Sequence, residues 1–311
     1  MQHSDLHNSI LNTIKYFGLF KFPLTANEIH KYLYAPDQDY SYKQVLFAIN
    51  KLVPQQLDCQ EGFYFLKNSK FSAHQRKTNY LTAENKIRKA KKFIRLISWL
   101  PTIKAVFICN KLAYFNSSPD DDIDLLVIAK QNRIWLARFY STLIMKILNR
   151  RPTAHDKKNK ICLSFFISED NLNLQSIALE NDIYLVYWIN QVLPIYDSAN
   201  IYKDFYNANS WTKMYLPNRQ PIELNSRWQI SQKKHWQKPL QILCSPRIGN
   251  LLEKVCKQIQ LKIMPTHLKQ LAQEKNSSVI INDQMLKFHD KDKRREIKQK
   301  FFSLFQSKTR F

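Results

Sequence analysis

Glycine is scarce: Gly18, Gly62 and Gly249 are the only three in 311 residues. So few cannot build a glycine-rich loop that cradles phosphate on backbone amides, which excludes a P-loop and a Rossmann dinucleotide fingerprint. Cysteine is sparse as well. Cys59, Cys109, Cys162, Cys244 and Cys256 are odd in number, lack C-x-x-C spacing and mostly sit in apolar runs, where free thiols pack as small hydrophobes. That pattern excludes a disulfide framework, gives no zinc motif and points to a reducing compartment. No run approaches the roughly 20 apolar residues of a membrane span. The start, Met-Gln-His-Ser-Asp-Leu-His, has no basic stretch followed by an apolar one. The expectation is therefore a cytoplasmic protein with no membrane partner. No Ser-His-Asp order marks a hydrolase either.

Acids are outnumbered: 48 Lys and Arg stand against 25 Asp and Glu, a formal net charge of +23. Such a field draws polyanions, among them nucleic acid and nucleotides, although lysine-rich surfaces also serve simply to keep a protein soluble. With 44% apolar and 13% aromatic residues the chain can build ordinary cores, and its length suits two or three domains.

Ile10, Leu11, Ile14, Phe17 and Leu19 define one helical face that ends by Gly18 and Pro23. Thr25 and Glu28 form a capping box for a second helix, and Ser41 caps a third carrying Val45, Leu46, Ile49 and Leu52. Leu57 to Leu66 alternates around Glu61-Gly62 as a hairpin. Three helices and a hairpin follow the order of a winged helix-turn-helix. Its third helix offers only Lys43 and Lys51, with Tyr42, Gln44 and Asn50, so it serves either DNA or packing and protein contact. From Lys67 to Arg95 ten basic residues oppose one acid, Glu84, a net of +9. Lysines without a base-reading pattern suit a phosphate-tracking surface. The tail from Leu286 to Phe311 has nine basic residues and three acids, either a basic amphipathic helix or a solvated end.

From Lys104 the period becomes that of strands: Ala105 to Cys109, then Ile123 to Ala129, a nearly continuous β-branched run. Between them lies Asp120-Asp121-Asp122-Ile123-Asp124. Acids at i and i+2 on a strand share one face, so Asp122 and Asp124 can hold hard cations while Ile123 and Leu125 turn to the buried side. Nucleotidyl transfer uses such carboxylates to position Mg²⁺ on a triphosphate.

The run Val106-Phe107-Ile108-Cys109-Asn110-Lys111-Leu112-Ala113, a polar turn, and Asp122-Ile123-Asp124-Leu125 resembles the DNA polymerase β-like nucleotidyltransferase superfamily. It is similar in particular to uncharacterised prokaryotic members with a winged-helix-like N-terminus, through Arg133-Ile134-Trp135, Lys160-Ile161-Cys162-Leu163-Ser164, Asn209-Ser210-Trp211, Leu216-Pro217-Asn218 and Lys287-Phe288-His289. The resemblance implies an α+β, nucleotidyltransferase-fold mixed sheet flanked by helices, after a winged helix-turn-helix-like domain and before a mostly helical C-terminal region. It implies Mg²⁺ or Mn²⁺ on Asp122 and Asp124 as catalytic and metal residues, an NTP substrate and an unknown acceptor. It places Asn110 and Lys111 where the superfamily has a small Gly-Ser pair. The third carboxylate of the superfamily sits on a later strand, but Ile161 to Ile167 has Ser164 and no acid, with Glu169 and Asp170 just beyond. Arg133 and Arg138 either reach a nucleotide phosphate or lie on a helix surface. His155 and His289 are more ordinary as surface or core residues, and Tyr184, Tyr187 and Trp188 at helical spacing as core.

The expected organisation is a winged-helix-like domain (1–70), a basic linker helix (71–101), a nucleotidyltransferase-like domain (102–220) and a helical C-terminal region with a basic tail (221–311). Two functions fit: transfer of a nucleoside monophosphate from an NTP, or a catalytically degenerate domain that binds nucleic acid, through Lys67 to Arg95, or protein.

Overall fold

The structure, a computed structural model, describes residues 5–153, 155–231, 240–274 and 278–306. Helix α1 (Leu6–Gly18) starts where the Asp5 carboxylate accepts the Asn8 amide at 2.8 Å. It buries Ile10, Leu11, Ile14 and Phe17. The expected capping box forms, Thr25 with Glu28 at α2 (Ala26–Lys31), and the expected cap Ser41 at α3 (Tyr42–Leu52) is a capping box as well, closed by Gln44. Strands β1 (Leu57–Gln60) and β2 (Phe63–Leu66) pair antiparallel around Glu61 and Gly62, whose φ values of 52° and 79° make the two-residue turn that suits the twist of paired strands. Residues Ile183, Val186, Tyr187 and Phe301, far along the chain, complete the core of these helices. Tyr16 stacks on Tyr187 with ring centroids 4.1 Å apart.

Helix α4 (Ala73–Ile97) lays Ala83, Ile87, Ala90, Ile94 and Ile97 on the main core and turns Lys77, Lys89 and Lys92 outward, whereas Lys86, expected outside with the other lysines, is buried. The sheet then assembles from β3 (Ile103–Ile108), β4 (Ile123–Ala129), β5 (Ile161–Ser168), β6 (Leu193–Asp197), β7 (Val279–Ile281) and β8 (Met285–Phe288) in the order β6-β3-β4-β5-β8-β7. Only β4 and β5 run parallel, joined across α6 (Ile134–Ile147); the remaining pairs are antiparallel. The fold is thus α+β, a mixed six-stranded sheet flanked by helices, as expected. Period-two alternation divides the central strands. Val106, Ile108, Ile123, Leu125 and Val127 face α4, α6 and α9 (Ile248–Ile263), while Phe107, Leu126, Ile128, Phe165 and Ile167 face α7 (Ile183–Ile189) and α8 (Ile201–Ala208).

Residues 221–311 were expected to be mostly helical, and α9, α10 (Thr266–Gln273) and α11 (Arg294–Gln306) are helices. The same stretch also extends the sheet, because β8 pairs with β5. The burial of Leu286 and of the Lys287 stem against β5 outweighs the charge of Lys287, whose ammonium meets Asp292 at 3.3 Å. Tail residues Lys308 and Arg310 lie outside the described residues. No helix among the described residues is long and apolar enough to cross a membrane.

Candidate metal centre

Asp122 and Asp124 stand at the head of β4, on the face shared with Leu126 and Ile128. Asp124 lies in register with Cys162 of β5, and the pairing then slips by one residue so that Leu126 meets Phe165. One ligand atom from each of Asp122, Asp124 and Cys162 falls within 4.8 Å of the others. Burial raises both carboxyl pKa values, and that of Asp124 reaches about 6 because the charge of Asp122 adds to its desolvation. Burial and the neighbouring Asp124 push the Cys162 thiol up to about 12, so it is protonated at neutral pH. Its Sγ donates to Ser164 Oγ at 3.4 Å, and Ser164 Oγ lies 3.0 Å from His289 Nε2. Burial, with the charge of Lys287 next in size, lowers the His289 pKa to about 4 and leaves a neutral ring.

Asn110 begins α5 (Asn110–Ala113) in the left-handed region, φ 58°, which asparagine tolerates better than other side chains. Its Nδ2 donates to Asp124 Oδ2 at 2.7 Å. Its Oδ1 accepts from Trp188 Nε1 at 2.8 Å and from Tyr184 Oη at 3.1 Å. The amide is therefore clamped and fixes one carboxylate oxygen. Aromatic side chains including Tyr16, Phe17, Tyr114 and Trp188 fill the space beside it, leaving a gap of about 10 Å³. Lys111 is exposed and lies 3.7 Å from Asp121 Oδ1. Asp121 also accepts the Ser118 amide at 2.8 Å, and its carbonyl accepts from Lys86; Asp120 pairs with Lys158 at 3.4 Å.

The arginines are not brought to these carboxylates. Arg133 follows β4 at the opposite end, roughly 20 Å along the strand at about 3.3 Å per residue, and donates to the carbonyls of Leu243 at 2.9 Å and Ser245 at 2.8 Å. Arg138 donates to Gln260 at 2.6 Å and lies over the Phe288 ring at 4.4 Å. Glu169 is at the far end of β5, bound to the Gln131 amide at 3.0 Å and 3.6 Å from Lys104. His155 is exposed. Sequence reasoning missed Cys162, which carries no acid to draw notice, and the part played by Tyr184 and Trp188, whose i, i+4 spacing reads as core packing.

The donors fit one divalent cation. Mg²⁺ needs one or two carboxylates and takes its remaining ligands from water and phosphate, which Asp122 and Asp124 permit. A second such ion would want a further carboxylate, and among the described residues the third donor beside this pair is a thiol, a soft ligand better matched to Zn²⁺ or Co²⁺. No protein family model matches the chain, and no curated protein matches it.

Proposed function

We propose that the chain is a metal-dependent nucleotidyltransferase-like protein that transfers a nucleoside monophosphate from an NTP, with Asp122 and Asp124 holding Mg²⁺ or Mn²⁺. The observation that carries this is the carboxylate pair at the head of an internal strand, its two side chains on one face and one of them oriented by a clamped amide. Bound there, the cation neutralises charge on the triphosphate as pyrophosphate leaves. Asn110 holds Asp124 in place, and its filled surroundings leave the Asp121 side as the approach for a nucleotide. On that side Lys111 and Lys158 offer exposed ammonium groups to phosphate. The N-terminal helices and hairpin are read as a winged-helix module, and the compartment as the cytoplasm, where unpaired cysteines persist.

A second reading is favoured by Cys162, which stands where a third acid would serve a second metal: the domain has lost transfer and retained binding. Purified protein incubated with labelled NTPs, Mg²⁺ or Mn²⁺ and cell extract separates the two. Labelling of an acceptor that an Asp122→Ala, Asp124→Ala double variant no longer supports is expected, and equal labelling by that variant excludes the mechanism.

A further inference from the structure

Beside the Asp120-Asp121 turn an open cleft of about 510 Å³ runs between α4 and the segment joining α6 to β5. Lys89, Lys92 and Phe93 line it from the helix, and Arg150, Lys158 and Lys160 from the opposite wall. The one acid on the lining, Asp156, is already paired with Lys160 at 2.9 Å. Sequence alone places α4's lysines on a surface; the fold adds a second basic wall.

Two observations give the cleft a direction. Lys86, one turn before Lys89 on α4, donates to the Asp121 carbonyl. At about 1.5 Å per residue, Lys89 and Lys92 therefore lie roughly 5 and 9 Å farther along the helix axis. The opposite wall is stitched to the same acidic turn: the Ile123 amide donates to the Lys160 carbonyl at 2.8 Å, and Lys158 pairs with Asp120. Both walls of the cleft are thus anchored to the acidic turn that leads into β4, on the α4 side of the sheet.

Its chemistry is that of a phosphate chain carrying bases. Lys89, Lys92, Arg150 and Lys158 are exposed. Phe93 is half-buried, and the Arg150 guanidinium lies 5.2 Å from its ring centroid, a flat pair on which any base can stack. A base inside a duplex is already stacked and cannot reach such a surface, whereas a single strand can. With lysines dominating and Asn159 the lone amide side chain on the lining, the cleft follows the backbone without reading sequence.

We infer that this cleft binds single-stranded nucleic acid, its cations tracking phosphates and Phe93 with Arg150 stacking a base. Binding stands without the catalytic reading; that the strand's end is the acceptor for transfer at Asp122 rests on it.

The test is fluorescence anisotropy of a labelled oligo(dT) of about 15 nucleotides, within the length range of single-strand sites, titrated with the full chain in EDTA without NTP. Lys89→Glu with Lys92→Glu should weaken binding at least about tenfold at about 50 mM salt and flatten the salt dependence by roughly 1.4 log units per log unit, the loss of two phosphate contacts. Phe93→Leu, which keeps the packing and removes the aromatic face, should weaken the single strand more than a duplex of the same length. A Lys43→Glu, Lys51→Glu variant on α3 should bind as the parent does. The inference is overturned by unchanged affinity in the Lys89/Lys92 variant, by equal losses for single strand and duplex on Phe93→Leu, or by loss confined to the α3 variant. It is also overturned if ATP displaces the oligonucleotide as effectively, per mole, as unlabelled oligo(dT), which would make the cleft a mononucleotide site. Loss of NTP transfer with binding intact would count against the metal centre alone.

Discussion

Replacing Asp124 by Asn should stabilise the metal-free protein at neutral pH. Its folded-state pKa of about 6 exceeds the roughly 3.9 of an unfolded aspartate, so folding binds the proton more tightly. The sign follows: below about pH 4 the group is neutral in both states and adds nothing, between about 4 and 6 the penalty grows, and above 6 it is complete. Two pKa units correspond to almost 3 kcal/mol, and about 2 kcal/mol remains after allowance for partial exposure. Asn keeps an acceptor for Asn110 Nδ2 and removes the repulsion from Asp122. At an unfolding entropy of about 2.1 cal/mol/K per residue, 2 kcal/mol is roughly 3 °C for a chain of this size. Thermal unfolding in EDTA from about pH 4 to 8 would show the variant ahead of the parent by that margin at pH 8 and level with it at pH 4. Mn²⁺ should then raise the parent's Tm at pH 8 and leave the variant's unchanged. A variant less stable than the parent at pH 8 would refute the claim that Asp124 is held against its own ionisation.

Asn110→Ala should destabilise by about 3 kcal/mol, since it strands the Asp124 oxygen, Trp188 Nε1 and Tyr184 Oη and puts Ala at positive φ; Asn110→Gly should recover about 1 kcal/mol of that in denaturant titrations. Arg294→Ala should cost about 3–5 kcal/mol, because Asp182, 2.8 Å from its Nη1 and almost fully buried, loses its cation. Asp182 also caps α7, the helix bearing Tyr184 and Trp188, so near-ultraviolet circular dichroism should report the loosened aromatics. Cys162→Asp should tighten Mg²⁺ binding in isothermal titration by supplying a hard third donor, while weakening Co²⁺ relative to Mg²⁺.

What was legible in the sequence is what depends on near neighbours. Thr25 with Glu28 and the Ser41 cap act within one helical turn, and the alternation of Asp122, Ile123, Asp124 and Leu125 follows from strand geometry alone. Cys162 was not legible as a partner of Asp124, because that contact depends on strand register and on a one-residue slip that nothing local announces. Strand β8 was hidden by its length of four residues and by Lys287, whose burial is tolerable only because Asp292 and the rest of the fold meet it. Arg133 and Arg138 looked like phosphate ligands by proximity in sequence to β4. The crossover from β4 into α6 instead puts Arg133 at the far end of the strand, where its donors meet the carbonyls of residues 243 and 245.

The central claim, that Asp122 and Asp124 hold a divalent cation, is tested most directly by anomalous diffraction from crystals soaked in Mn²⁺. The account predicts one anomalous peak bridging the two carboxylates, at about 2.1–2.3 Å from their oxygens as for hard cations on oxygen ligands, and none there in the Asp122→Ala, Asp124→Ala variant. Crystals that bind Mn²⁺ only elsewhere, or not at all, would contradict it.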